Sequence, residues 1–189
     1  QLLPGEYLKF DKNGLEVKKY YKLPIQKYNQ NQMDQVEIGR LVRNSLNKSI
    51  ERRILSDVPV GLYYSGGLDS SCLGASIKEV VPKKEMRSFT YVSENVDKYE
   101  KDLIKRMAKS LNLDIQFVYD DDIKTNLANK FAWHMETPFS PSLLVDEMLN
   151  KSAKKNGVTV VLEGQGSDEI FAGYSRYLFP FLIDKIVNF

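Results

Sequence analysis

Val58-Pro59-Val60-Gly61-Leu62-Tyr63-Tyr64-Ser65-Gly66-Gly67-Leu68-Asp69-Ser70-Ser71 decides how this chain folds. The apolar run Val58 to Tyr64 passes through two adjacent glycines straight into a helical pattern, so the segment reads as strand, tight turn and helix start. Gly66 and Gly67 open backbone conformations closed to other residues and let N–H groups approach a ligand. The helix beginning near Asp69 aims its positive end at the same spot. Such a turn binds an anion, and a phosphate chain suits it best.

Outward from this segment the alternation continues. Candidate strands at Val58 to Tyr64, Arg87 to Val92, Ile115 to Tyr119 and Val158 to Leu162 are separated by helical patterns. These fall at Asp69 to Val80, Lys98 to Leu111 and in two segments between Ile123 and Lys155, interrupted at Thr137-Pro138 and Ser140-Pro141. β-Branched strands alternating with helices predict an α/β fold, a doubly wound, mostly parallel sheet flanked by helices. In such sheets ligands bind beyond the carboxyl ends of the strands. Upstream, Pro4-Gly5 and Asn13-Gly14 punctuate residues Leu2 to Leu23 and predict a short antiparallel β-ribbon. Ile38, Leu41, Val42, Leu46, Ile50 and Ile54 recur at helical spacing and predict a long amphipathic helix that leads into the core before Pro59.

The chain has 189 residues, 42% of them hydrophobic and 28% charged, which suits one domain with a substantial core. Its net charge is +2, from 27 basic and 25 acidic residues, and marks no nucleic-acid or membrane surface. No apolar stretch approaches the roughly 20 residues of a membrane span, and no signal-peptide pattern opens the chain. The expectation is a soluble, cytoplasmic protein without nucleic-acid or membrane partners. The single cysteine, Cys72, excludes an internal disulfide and a multi-cysteine metal cluster. Its neighbours Leu73 and Ile77 suggest a buried, inert thiol. Trp133 and Phe131 read as core residues. Gln1 at the start and the apolar segment Tyr177 to Phe189 at the end both look like cuts through a larger polypeptide.

A second run, Glu163-Gly164-Gln165-Gly166-Ser167-Asp168-Glu169-Ile170-Phe171-Ala172-Gly173-Tyr174, follows the last candidate strand and repeats the design of strand, glycine turn and helix. If the two strands are neighbours, Asp69 and Asp168 reach one crevice, and paired carboxylates beside a phosphate site are what a magnesium ion requires. Either aspartate alone reads equally as a helix N-cap. Leu68-Asp69 after the glycines excludes a Walker-type loop, which needs a lysine there, and no G-x-G-x-x-G follows the first strand. His134 is the only histidine, and neither Ser65 nor Ser167 sits in a G-x-S-x-G elbow, which argues against a serine hydrolase.

Ser65-Gly66-Gly67-Leu68-Asp69-Ser70-Ser71 resembles the pyrophosphate loop of the N-type ATP pyrophosphatases. Within that superfamily, Gly164 through Tyr174 is similar to the matching run of the glutamine-dependent asparagine synthetases. So are Leu3-Pro4-Gly5-Glu6-Tyr7-Leu8 and Tyr20-Tyr21-Lys22-Leu23-Pro24, which resemble that family's join between glutaminase and synthetase domains. The resemblance implies an adenine-nucleotide alpha-hydrolase-like fold. Residues 1–33 are expected to be a ribbon and linker from a missing N-terminal glutaminase domain, and residues 34–189 an ATP-pyrophosphatase domain truncated at its C-terminus.

The resemblance further implies that ATP is cut between its α and β phosphates, with a carboxylate, aspartate in that family, activated as an acyl-adenylate and attacked by ammonia released from glutamine. Ser65, Gly66, Gly67, Leu68, Asp69, Ser70 and Ser71 would hold the pyrophosphate, with Mg2+ on Asp69 and Asp168. Tyr64 and Tyr91 fall where the family's adenosine contacts lie, and Glu163 and Gly164 border the nucleotide. Each tyrosine alone reads first as a core residue. Glu136 matches a recurrent family glutamate that contacts substrate or magnesium, and reads equally as a solvated helix-end carboxylate. Gln165 departs from the pattern, standing where the family has a glutamate, and a glutamine cannot take or give a proton. The family's later lysine-bearing segment has no counterpart before Phe189, so ATP binding without complete amide synthesis is the expectation for this chain alone. A β-lactam synthetase-like or glycan amidotransferase enzyme, and a non-catalytic nucleotide-binding remnant, remain alternatives, and a homodimer stays open.

Overall fold

Four parallel strands in the order β5-β4-β3-β6 form the central sheet. They are β3 (Val60–Tyr63), β4 (Met86–Val92), β5 (Leu113–Tyr119) and β6 (Val160–Leu162). The structure, a computed structural model, describes residues 1–23, 34–83, 85–93, 98–119, 132–133, 136 and 142–187. The chain divides into two units, Gln1–Arg40 and Leu41–Phe189.

In the first unit β1 (Glu6–Asp11) and β2 (Gly14–Lys19) pair antiparallel, from Glu6 with Lys19 to Asp11 with Gly14. Asn13 N–H donates to Asp11 Oδ1 at 2.8 Å, and Gly14 turns the chain at φ 108°, a conformation that favours glycine. The ribbon expected from Asn13-Gly14 is there.

In the second unit α2 (Leu68–Val80) and α3 (Lys98–Ser110) join β3 to β4 and β4 to β5, as parallel neighbours require. The strands' period of two sorts their side chains between two cores. Leu62, Tyr64, Met86 and Leu113 pack with Ile50, Ile77, Ile104 and Ala108 on the face covered by α1 (Gln35–Ile54), α2 and α3. Phe89 packs with Leu149, Ala153 and Val158 on the other face, under α4 (Ser142–Lys155). Helices on both faces bear out the doubly wound α/β reading. Burying a side chain such as Phe89, with none of its surface exposed, contributes about 1.5–3 kcal/mol.

Three expectations need correction. The apolar stripe of α1 enters the core only from Leu46 onward, because Leu41 and Val42 keep 42% and 40% of their surface exposed. Cys72 is exposed. The buried residues of α2 are Ser70, Gly74, Ser76 and Ile77, and Cys72, about 200° round the helix from Ser70, is left outside by the tertiary packing. Trp133 is 76% exposed rather than in the core. Phe131, His134 and the first helical segment expected after Ile123 fall outside the described residues, save positions 132, 133 and 136.

Beyond β6 come a short helix α5 (Ser167–Phe171), a 3-10 turn (Ser175–Tyr177) and α6 (Leu178–Val187). Phe179, Ile186 and Val187 of α6 are more than two-thirds exposed. Among the described residues no helix is long and apolar enough to cross a membrane.

Candidate active site

β3 and β6 are hydrogen-bonded neighbours, Val60 beside Val160 and Leu62 beside Leu162. Because they run parallel, the two glycine turns leave the sheet at the same end, side by side. At the first turn the N-cap of α2 is Gly67, with φ −71°, ψ 171° and no side-chain cap. Asp69 is therefore the second residue of the helix and not its cap, so the capping role is not what places an aspartate here. Gly66 takes φ 76°, the left-handed conformation that only glycine adopts easily, and a Cβ there would lie 3.0 Å from Ile104 Cγ1. The hydroxyls tie the turn to itself. Ser65 Oγ accepts from Gly67 N–H at 3.2 Å and lies 3.1 Å from Ser70 Oγ, which donates to Gly67 O at 3.2 Å. Ser71 Oγ stands 3.3 Å from the Tyr64 hydroxyl. The N–H groups of a helix's first turn have no intrahelical partner and so are available to a ligand.

The second turn follows the same plan. Gly166, at φ 93°, caps α5 without a side-chain bond, and Asp168 is again the second helical residue. Ser167 Oγ and N–H both donate to Gly164 O, at 2.7 and 3.2 Å, and close the loop. A Cβ on Gly164 would lie 3.0 Å from Asp69 Cβ and 3.4 Å from Ser70 N. The two turns thus touch at Gly164, where a side chain would crowd Asp69.

Between them opens a cavity of about 390 Å³. Its walls include Tyr64, Ser65, Asp69, Ser70, Tyr91, Glu163, Gly164, Gln165 and Asp168, all expected from the sequence. Gly66, Gly67, Leu68 and Ser71 shape the first turn without lining the cavity, and Leu68 is 79% exposed. Glu136 is exposed at φ 53° and is not on the wall. Tyr64 belongs to both settings: it is buried in the core and its surface also meets the cavity. Thr90 Oγ1 donates to its carbonyl oxygen, holding the strand end.

Other lining residues were not foreseen. Val145, Asp146 and Leu149 reach the cavity from α4. Tyr63 lines it too, and its hydroxyl donates to Asn150 Oδ1 at 2.7 Å. Burial, then the charges of Glu163 and Asp146, push the Tyr63 phenol up to about 12. Tyr174 closes one side, its hydroxyl donating to Glu169 Oε1 at 3.0 Å and its ring covered by Arg176 at 4.4 Å. Its phenol is raised as well, chiefly by that bond to Glu169. The Val145–Leu149 spacing of i, i+4 was a readable signal for an inward face on α4.

Four carboxylates line the cavity, Asp69, Asp146, Glu163 and Asp168, and among the described residues no lysine or arginine does. No group of three or more metal-ligating side chains forms among the described residues. Two aspartates on facing turns still fit magnesium, which takes one or two carboxylates and completes its shell with water and phosphate oxygens. An anionic ligand in so acidic a cavity needs a cation with it.

The sequence matches the family model "Asparagine synthase" over residues 41–187. The chain belongs to the asparagine synthase family. It is 34% identical over 151 residues to asparagine synthetase [glutamine-hydrolyzing] 1 of Bacillus subtilis, covering 79% of this chain and 23% of that protein. It is 31% identical over 196 residues to the amidase chyE of Penicillium rubens, covering 94% of this chain and 29% of the relative. The chain thus spans under a third of the length of either. Among solved structures, an NH3-dependent NAD synthetase from Campylobacter jejuni superposes with a TM-score of 0.50 at 18% identity, covering 76% of this chain and 62% of the other. That likeness shows a shared fold.

Proposed function

We propose that this asparagine synthase domain binds ATP across its two glycine turns and cleaves it between the α and β phosphates to activate a carboxylate for amide formation. The observation that carries the reading is the pairing of β3 with β6, which puts Asp69 and Asp168 on one cavity beside an uncapped helix start.

Each group has a task the geometry supports. N–H groups of the first turn of α2, with the Ser65 and Ser70 hydroxyls, take the oxygens of the leaving pyrophosphate. Tyr64, Tyr91 and Phe89 offer the nucleoside an apolar wall. Asp69 and Asp168 would hold a magnesium ion, which would supply the positive charge that the cavity's side chains lack. Tyr63 gives its phenol proton to Asn150 Oδ1, a bond that holds its ring on the cavity wall. Gln165 positions the acceptor by hydrogen bonds but transfers no proton. Ammonia attacks the acyl-adenylate; the Bacillus subtilis relative is named for glutamine hydrolysis, which favours glutamine, through a glutaminase domain of the full polypeptide, as its source.

Aspartate is the acceptor that the family name favours. A second reading, amide formation on another carboxylate, draws on Gln165 and on the amidase that matches 94% of the chain. The full polypeptide incubated with ATP, magnesium, ammonia and a panel of carboxylates decides between them by mass spectrometry of the amide formed. Asparagine alone supports the first reading, a different amide the second, and no amide with any acid contradicts both.

A further inference from the structure

Asp168 is the second residue of a five-residue helix, and among the described residues its carboxylate takes no hydrogen bond and no ion pair. What bounds it is the backbone of Gly173. A Cβ built there would overlap Asp168 Oδ1 outright and lie 2.9 Å from Cγ and 3.3 Å from Cα. The approach is fixed from the main chain, since Gly173 N–H donates to Asp168 O at 3.0 Å and closes the turn after α5. Gly173 is not in the left-handed region, so an alanine there meets no backbone objection. The carboxylate is the main obstacle, and the Asp168 Cα at 3.3 Å has to give only by a few tenths of an ångström. Gly164 is less tightly set, its built Cβ meeting Asp69 at Cβ and not at the carboxylate, and Gly166, in the same run, has nothing within 4 Å of its built Cβ.

We propose that Gly173 is the positioning residue for Asp168. Its bare Cα leaves the space in which the carboxylate rests on the cavity wall, and any side chain at 173 turns that carboxylate away. The displaced atoms are the far end of a side chain, so the fold can absorb the change by rotating Asp168. The binding site cannot, because the carboxylate is then missing from the wall it shares with Asp69. The functional consequence rests on the ATP reading proposed above; the steric relation does not.

The test is a double-mutant cycle on the full polypeptide, comparing wild type, Gly173→Ala, Asp168→Ala and the double variant. Affinity for a non-hydrolysable ATP analogue with magnesium is measured by calorimetry, together with Tm. Displacing a group that orients a metal ligand typically costs about 10–100-fold in affinity. The inference predicts such a loss in Gly173→Ala, a Tm close to wild type, and no further loss when Gly173→Ala is added to Asp168→Ala. Equal losses in both backgrounds would overturn it, as would wild-type affinity in Gly173→Ala where Asp168→Ala is weakened, and either result leaves the ATP reading standing. Should Gly173→Ala melt early, recovery of Tm in the double variant supports the steric relation, and no recovery overturns it. Wild-type affinity in Asp168→Ala overturns the functional inference and removes Asp168 from the site. A wild-type protein that binds no magnesium–ATP analogue contradicts the ATP reading itself.

Discussion

Asp69 and Asp168 hold equivalent places in two strand–turn–helix units, each the second residue of a helix capped by a glycine. No lysine or arginine is among the described lining residues, so on the proposed ATP reading phosphate binding would depend on a cation held by these carboxylates. Asp69→Ala is expected to abolish pyrophosphate release in the full polypeptide at any magnesium concentration; release near the wild-type rate would remove Asp69 from the site. Gln165→Glu is expected to raise amide formation on aspartate, read as asparagine produced per unit time, because a glutamate restores the titratable group of the family pattern. Tyr63 gives a prediction that needs no substrate. Its phenol is raised to about 12, so the folded state keeps its proton while the unfolded state loses it near pH 10. Tyr63 therefore contributes stability in full below about pH 10, and that contribution is lost as pH climbs toward about 12. In an ultraviolet phenolate titration, Tyr63→Phe is expected to delete one late-titrating group, and Glu163→Gln to move that group earlier. These aspartates were legible because glycines flank them, whereas Tyr63 was not. Two adjacent tyrosines at a strand end point to opposite faces, and nothing local says which face α4 will turn into a cavity wall.

The β3 and β4 strands and helices α2 and α3 lie within two or three residues of where periodicity put them, since apolar spacing and the Gly66-Gly67 turn are local signals. Exposure was less readable. Cys72 and Leu73 are adjacent in sequence but 100° apart on the helix, and only tertiary packing selects Ser70, Gly74, Ser76 and Ile77 for burial. In β3, Gly61 lies where a Cβ would come within 2.9 Å of Arg87 O and of Val158 Cγ1. Gly61→Ala is expected to cost about 1–3 kcal/mol by overpacking, seen as a lower urea midpoint with an unchanged slope. Ala172 ends α5 at φ 57°, a left-handed position that favours glycine. Ala172→Gly relieves that strain and loses some of it to a more flexible unfolded chain, so a net gain of about 0.5–1 kcal/mol is expected, read as a Tm rise of about 1–4 °C. A lowered Tm would show that Ala172 is held there without strain.

At the scale of the molecule, the order β5-β4-β3-β6 makes the site. It brings a turn at residues 64–69 beside one at 163–168, nearly a hundred positions later in the chain, and no local pattern specifies that adjacency. The resemblance of the two runs to one family supplied it, and the parallel register of Val60 with Val160 confirms it. The exposed apolar surface of α6 belongs to this scale as well, because a helix bearing Phe179, Phe181, Ile183 and Ile186 toward solvent has no counterpart in the sheet's two cores. The measurement that bears most directly on the account is the identity of the nucleotide left after turnover, followed by phosphorus NMR in the full polypeptide with ATP, magnesium, ammonia and aspartate. Cleavage across the two turns predicts AMP and pyrophosphate in equal amounts, whereas ADP and inorganic phosphate would contradict it.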